Sequence, residues 1–330
     1  MNAITVQDLS MVYRVPVRDP GLLPAVKSIF RRRYEEVEAV RRVSFTVKSG
    51  EIVGLIGPNG AGKTTTLKLL SGLLRPTGGN AEVEGFVPYE RRHEYLRSIC
   101  MVLGNRRQIV WDVPPQDSLR AVAAIYGLSD DQFRKRLAEL SQLLRLEPIL
   151  SKPARNLSLG ERMKCELAAS LIHRPRIMFL DEPTLGLDLT MQRQLRSFIA
   201  ECNRRDGTTI ILTSHYMADV SELCPRILLI NNGRLAYDGP LNDLARRIAP
   251  YKFIRIRSAE QGFGGAAPPT RFEIVEKGDD ELTFRVPTAD APAATAELLT
   301  SMPIADLHVE DAPIESVIDT IYREGVGCDA

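Results

Sequence analysis

Hydrophobic positions along this chain follow three rhythms, and each predicts a different kind of element. Short apolar runs stand at 51–56, 177–180 and 208–213. Strands buried on both faces of a parallel sheet read this way, since neither side of the pleat meets water. Ala3 to Leu9 and Tyr251 to Arg257 alternate instead, as strands with one wet face do. Tyr13 follows the first of these, and Ala39 to Glu51 reads as a strand and turn leading into the 51–56 run. Helical spacing marks Leu67, Leu69, Leu70 and Leu73, then Leu119, Val122, Ile125 and Tyr126, then Phe133, Leu137, Leu140 and Leu144. Gly127-Leu128-Ser129-Asp130 separates the last two helices, and Pro148 and Pro153 end that block.

Other stretches are less regular. In the insertion at 14–38, Pro16, Pro20, Gly21 and Pro24 break the chain. After them Val26, Ile29, Phe30, Arg33 and Val37 fall at helical spacing, beside Arg31 and Arg32. This predicts a surface helix whose basic patch is either solvated or set against lipid headgroups or a membrane partner. The segment 88–113 has no clear period; it holds Cys100 to Leu103 and then Gly104, Asn105, Arg106, Arg107 and Gln108. A hairpin is expected around Asn232-Gly233, then a closing helix at Leu241 to Ile248. Beyond it lies a small α+β unit with an Ala/Gly/Pro-rich loop at 258–269. Its expected elements are a hairpin at Phe272 to Val286, a helix at Ala291 to Leu299, a strand at Ile304 to Val309 and a helix at Ile314 to Tyr322.

The chemistry begins where the first apolar run ends. Gly57, Pro58, Asn59, Gly60, Ala61, Gly62, Lys63, Thr64 and Thr65 follow directly, with a helical pattern behind them. Strand, glycine-rich loop and helix, with G-x-x-x-x-G-K-T spacing, form a phosphate-binding P-loop. The glycines let the backbone curl so that several N–H groups face one anion. The helix adds the positive end of its dipole, about half an elementary charge. Lys63 offers a point charge to β- and γ-phosphates, and the Thr64 hydroxyl is placed to ligate Mg²⁺. This reading implies a nucleoside triphosphate.

Three further features stand downstream. Ser158 and Glu161, within Leu157-Ser158-Leu159-Gly160-Glu161, form a capping box for a helix carrying Met163, Leu167, Leu171 and Ile172. The run Ile177 to Leu180 ends in Asp181 and Glu182. At the carboxyl end of a parallel strand, Asp181 can hold the Mg²⁺ of a P-loop nucleotide. Glu182 can orient or deprotonate the water that attacks the γ-phosphate. His215, after the strand at 208–213, is a candidate hydrogen-bond donor to that phosphate.

Composition adds mainly exclusions. Forty-three Lys and Arg against 42 Asp and Glu leave nothing that asks for nucleic acid. Five scattered cysteines with no CxxC pair fit a reducing compartment and argue against a disulfide framework or zinc site. The first residues lack the basic and apolar regions of a signal peptide, and no apolar stretch approaches about 18 residues, so any action on a membrane is expected from outside it.

In this order, P-loop, capping-box segment, twin carboxylates and strand-end histidine resemble the nucleotide-binding subunits of ABC transporters. The resemblance covers about residues 1–248 and implies an α/β P-loop NTPase sheet with an N-terminal β subdomain and an inserted helical subdomain at 88–165. Residues 249–330 would be the small α+β accessory domain. Gly57 to Thr65 matches Walker A, and Ile177 to Glu182 matches Walker B with Glu182 as catalytic base. The signature motif falls on Leu157 to Glu161, with Leu159 and Glu161 departing from the usual glycine and glutamine and Gly160 retained. Leu185-Gly186-Leu187-Asp188 looks like the D-loop, and His215 like the switch histidine. The base-stacking aromatic falls on Tyr13 or Tyr34, with Tyr13 preferred. The Q-loop glutamine is missing; Asn105 stands in its place, with Gln108 as the rival. By this resemblance the chain hydrolyses ATP with Mg²⁺ on the inner face of the cell membrane. It would act in an ATP-sandwich dimer, where Ser158, Gly160, Glu161 and Asp188 reach the nucleotide of a second subunit, and separate membrane-spanning permeases would be its partners. The N-terminal insertion and the Ser158-Leu159-Gly160-Glu161-Arg162-Met163 run resemble bacterial drug exporters most. An importer subunit remains the alternative, and an ABC-type ATPase acting on DNA a more distant one.

Overall fold

A computed structural model describes residues 1–17, 33–103, 108–259, 263, 271–313 and 317. The apolar run ahead of the P-loop forms β3 (Ile52–Ile56), every residue of which is buried. It lies inside a six-stranded sheet that also contains β5 (Ile99–Leu103), β6 (Ile177–Asp181), β7 (Thr209–Thr213), β8 (Arg226–Asn231) and β9 (Arg234–Pro240). The strand order is β5-β6-β7-β3-β8-β9, and β5 through β8 run parallel. Strands β3, β6 and β7 are therefore side by side, and the residues that follow their carboxyl ends share one edge of the sheet. In such sheets ligands gather along that edge. Between β8 and β9, Asn232 and Gly233 both take positive φ, as a tight hairpin turn requires.

The N-terminal region forms a separate antiparallel sheet of β1 (Asn2–Val17), β2 (Arg33–Lys48) and β4 (Gly78–Val83), ordered β2-β1-β4. Two expectations change here. Tyr13 lies within the first strand, not after it, because β1 continues to Val17 by pairing with β2. The helical spacing read through Val37 also fails at its far end, since residues 33–37 belong to β2 and Val37 stands opposite Tyr13. The cross-strand partner decides the conformation, as it commonly does in strands. Val26, Ile29 and Phe30 lie outside the described residues. Beyond Ser10, where the β4 pairing stops, β1 and β2 continue as a two-stranded ribbon.

The helices follow their predicted spacing. The P-loop helix is α1 (Lys63–Leu70). The irregular stretch 88–113 contains α2 (His93–Ser98) and then β5, an edge strand of the parallel sheet. The block expected to be helical thus includes, after its first short helix, an edge strand of the sheet. Next come α3 (Pro115–Ile125), α4 (Asp130–Leu144) and α5 (Leu159–Leu171). Downstream of β6 and β7 lie α6 (Leu189–Asp206) and α7 (Met217–Leu223). One apolar core joins both sheets of this region, including Ile4, Val43, Leu55, Leu67, Phe179 and Ile211.

Residues 239–326 make a second compact unit, divided from the first between Asp238 and Gly239. It comprises α8 (Leu241–Ile248), β10 (Tyr251–Ser258), β11 (Glu273–Lys277), β12 (Glu281–Pro287), α9 (Ala291–Ser301) and β13 (Ile304–Asp311). The sheet order is β11-β12-β10-β13. Ile254, Ile256, Leu282, Phe284 and Val286 form its core with Ala294 and Leu298 of α9. The last helix expected, at 314–322, lies outside the described residues except for Val317.

Candidate functional site

The P-loop is shaped by two close backbone approaches. Gly57 has φ 156°, and a Cβ there would sit 2.1 Å from the Ile230 carbonyl oxygen at the end of β8. Gly62, the residue before α1, has φ 107°, and a Cβ would lie 2.3 Å from the Ala39 carbonyl oxygen of β2. Any side chain at either position would push the loop off its supports. The Gly233 N–H donates to the Ala61 carbonyl at 3.0 Å, bracing the loop from the β8–β9 turn.

Lys63 is buried, and its Nζ donates to the Gly57 and Pro58 carbonyls at 2.7 and 3.1 Å. Burial lowers its pKa, partly offset by the nearby Glu182 and Asp181 carboxylates. A phosphate in the loop would supply the countercharge that those neutral carbonyls do not. Thr65, beside it in α1, lies 3.5 Å (Oγ1) from the Tyr13 hydroxyl. Tyr34 stands opposite Pro16, further out along the ribbon, and is 55% exposed. Of the two aromatics, Tyr13 has the contact with the P-loop helix.

Strand β6 delivers the two carboxylates to the same place. The Thr64 hydroxyl donates to Asp181, at 2.9 Å from Oδ2 and 3.2 Å from Oδ1. Thr213, at the end of β7, donates its own hydroxyl to Asp181 Oδ1 at 2.7 Å. A hydroxyl and a carboxylate meeting at the foot of a phosphate-binding loop are hard oxygen donors, and they fit Mg²⁺, which takes one or two protein oxygens and completes its shell with phosphate and water. Consistent with so sparse a ligand set, no cluster of three His, Cys, Asp or Glu side chains able to hold a metal occurs among the described residues.

Glu182 takes φ 53°, a left-handed conformation that costs a non-glycine residue on the order of 1 kcal/mol. Its N–H donates to both the carbonyl (3.1 Å) and the hydroxyl (3.0 Å) of Thr213, which hold the turn. The turn aims the carboxylate at His215, whose Nε2 is 2.8 Å from Glu182 Oε1. Sequence reasoning named both residues but not Thr213, whose hydroxyl serves Asp181 and Glu182 at once. Its place at the end of a β-branched strand gave no hint of that double bond.

The capping box forms as expected. Ser158 N–H donates to Glu161 Oε2 at 2.8 Å, and Glu161 N–H to Ser158 Oγ at 3.3 Å. These bonds hold the Glu161 carboxyl below its usual pKa range. A Cβ on Gly160 would lie 3.2 Å from the Met191 side chain of α6, a tight contact that would press that side chain aside by a few tenths of an ångström. Asp188 caps α6, its Oδ1 accepting from Met191 N–H at 2.9 Å. Leu159 and Leu185 are 54% and 50% exposed, so the tip of α5 and the 185–188 loop present an apolar surface outward. Asn105 lies outside the described residues. Gln108 faces α5: its side-chain amide donates to Ser170 Oγ at 3.0 Å, and its N–H to Glu166 Oε2 at 2.6 Å.

Comparison with known proteins agrees with this geometry. Residues 40–185 match the ABC transporter family model, and residues 250–310 match the model for the C-terminal domain of EvrA-like ABC transporters. The chain is 34% identical to the ABC transporter ATP-binding protein NatA of Bacillus subtilis over 215 residues, covering 65% of this chain and 87% of that protein. It is 31% identical to the doxorubicin resistance ATP-binding protein DrrA of Mycobacterium tuberculosis over 259 residues, covering 76% and 78%. Among solved structures, an ATP-binding subunit of an ABC transporter superposes with a TM-score of 0.61 at 28% identity, covering 74% of this chain and 92% of that one.

Proposed function

The chain belongs to the ATP-binding, ATP-hydrolysing subunits of ABC transporters, and on that premise we propose that it drives a membrane exporter as a nucleotide-sandwich dimer. The observation that carries the reading is the convergence of Thr64 on Asp181 beside the Glu182–His215 pair. Lys63 binds the β- and γ-phosphates, and Tyr13 stacks on the base. Thr64 and Asp181 hold Mg²⁺, with Asn105 as a third ligand in this reading. When bound, that ion neutralises charge on the phosphate oxygens. Glu182 orients and accepts a proton from the attacking water, while His215 fixes the Glu182 carboxylate and reaches the γ-phosphate.

One P-loop and one Ser158 helix per chain support the dimer. Each α5 N-terminus, with its backbone N–H groups and dipole, would complete the nucleotide site of the other copy through Ser158, Gly160 and Glu161. Asp188 would reach across the same interface. Export is supported by the DrrA relative, named for doxorubicin resistance. No described helix is long and apolar enough to cross a membrane. Separate permease subunits therefore complete the transporter in this proposal, with the chain on their cytoplasmic side.

The test contrasts two variants. Glu182→Gln should bind ATP normally, lose about 99% or more of turnover, as removal of a catalytic base does, and accumulate as an ATP-bound dimer in size-exclusion chromatography. Lys63→Ala should instead lose ATP affinity itself. Near-normal turnover in Glu182→Gln would refute the assignment. Accumulation of substrate in inverted vesicles carrying the permeases would support export, and its loss from them would point to import.

A further inference from the structure

Asp219, on α7, is wholly buried and joins three elements. Its Oδ1 accepts from Arg196 Nη1 of α6 at 2.9 Å. Its Oδ2 accepts from two hydroxyls, those of Thr184 and Ser214, the latter at 2.6 Å. Thr184 comes two residues after Glu182, and Ser214 immediately precedes His215. Thr184, Ser214 and Arg196 are themselves buried. Arg196 also reaches Glu222 through Nε at 2.7 Å, and Ser214 Oγ accepts from Tyr216 N–H at 3.0 Å. The carboxylate is thus paired and hydrogen-bonded, the condition under which a buried charge is tolerated.

A core ion pair alone would need only Arg196. The two hydroxyls add something specific, because each sits on a loop that presents one half of the Glu182–His215 pair. We infer that Asp219 is a positioning residue for ATP hydrolysis, holding the Glu182 turn and the His215 loop at a fixed separation through Thr184 and Ser214. The inference rests on the roles proposed above for Glu182 and His215. Its physical content is precision: a misplacement of about 1 Å in a reacting group can cost on the order of a hundredfold in rate. With Glu182 held at positive φ, the turn has an alternative to relax toward once the Thr184 bond is gone.

The test uses the full chain with Thr184→Val, which removes the donor and keeps the shape, and with Ser214→Ala. Each should lower kcat for ATP about tenfold, equivalent to about 1.4 kcal/mol in the barrier, while KM stays within about twofold. The imidazole ¹⁵N resonances of His215 should shift in both variants, while those of His93 and His308 should not. A lower melting temperature with unchanged kcat and unchanged His215 resonances would mean that Asp219 serves the core alone, and would overturn the inference. Glu182→Gln and His215→Ala belong in the same series. If they abolish turnover and Thr184→Val does not slow it, the positioning role alone fails. If they leave turnover intact, the site assignment fails and takes this inference with it.

Discussion

At the scale of single residues, His173 shows how burial sets chemistry away from the nucleotide. Its ring stacks on Tyr126 with centroids 3.8 Å apart and planes 7° from parallel. Nε2 lies 3.0 Å from the Ile99 carbonyl, which fixes the proton on that nitrogen. Burial, with a smaller push from Arg136, lowers its pKa to about 4, against the opposing effect of the Ile99 bond. The unfolded chain therefore takes up this proton first. Stability from the neutral ring is complete above pH 6.5, declines as pH falls toward about 4, and declines no further below it on this account. The loss amounts to at most about 3 kcal/mol. Urea unfolding between pH 7 and 4 should show this slope, and His173→Phe, which keeps the stack, should flatten it.

At the scale of elements, α5 matters along a stripe as well as at its tip. Arg162, Glu166 and Ser170 fall one turn apart on one face. The Arg162 guanidinium lies 4.3 Å from the Trp111 ring centre. Glu166 accepts from the N–H groups of Gln108 and Ile109 at 2.6 and 3.3 Å, and Ser170 takes the Gln108 amide. Residues 108–111 are thereby laid along the helix that carries Ser158. Glu166→Ala would strand two backbone donors and should cost about 2–4 kcal/mol in denaturant unfolding. Glu166→Gln, which keeps an acceptor oxygen, should cost less. Such features also mark where the sequence was readable. The P-loop and capping box were, because their chemistry fixes residue types at neighbouring positions. The Asp219 cluster was not: Thr184, Arg196, Ser214 and Asp219 become neighbours only when β6, α6, β7 and α7 pack, although an Asp one turn before Leu223 on a buried face was a signal available to read. Arg33 and Val37 misled because a helical rhythm can be overruled by a strand partner about twenty residues earlier.

At the scale of the whole molecule, the exposed tip of α5 makes the dimer testable without touching the P-loop. Ser158→Arg would place a long cation at that tip and remove the cap, a loss of about 1 kcal/mol to the helix. ATP affinity of the single chain should persist, whereas the dimer trapped by Glu182→Gln should disappear in sedimentation. Equal dimerisation would exclude the sandwich. Of the fold, the parallel sheet and second unit were legible in strand rhythm, whereas the division between Asp238 and Gly239 was not, because it falls inside β9, where no linker announces it. The β1–β2 ribbon carries a different sort of consequence. Among the described residues, those that brace the P-loop from this side, Ala39 against Gly62 and Tyr13 against Thr65, lie inward of Val17 and Arg33. Doubling the length of chain between those two residues costs only about 0.6 kcal/mol in closure entropy. Across descent, chain length should therefore vary more freely between those two residues than within the paired strands on either side of them.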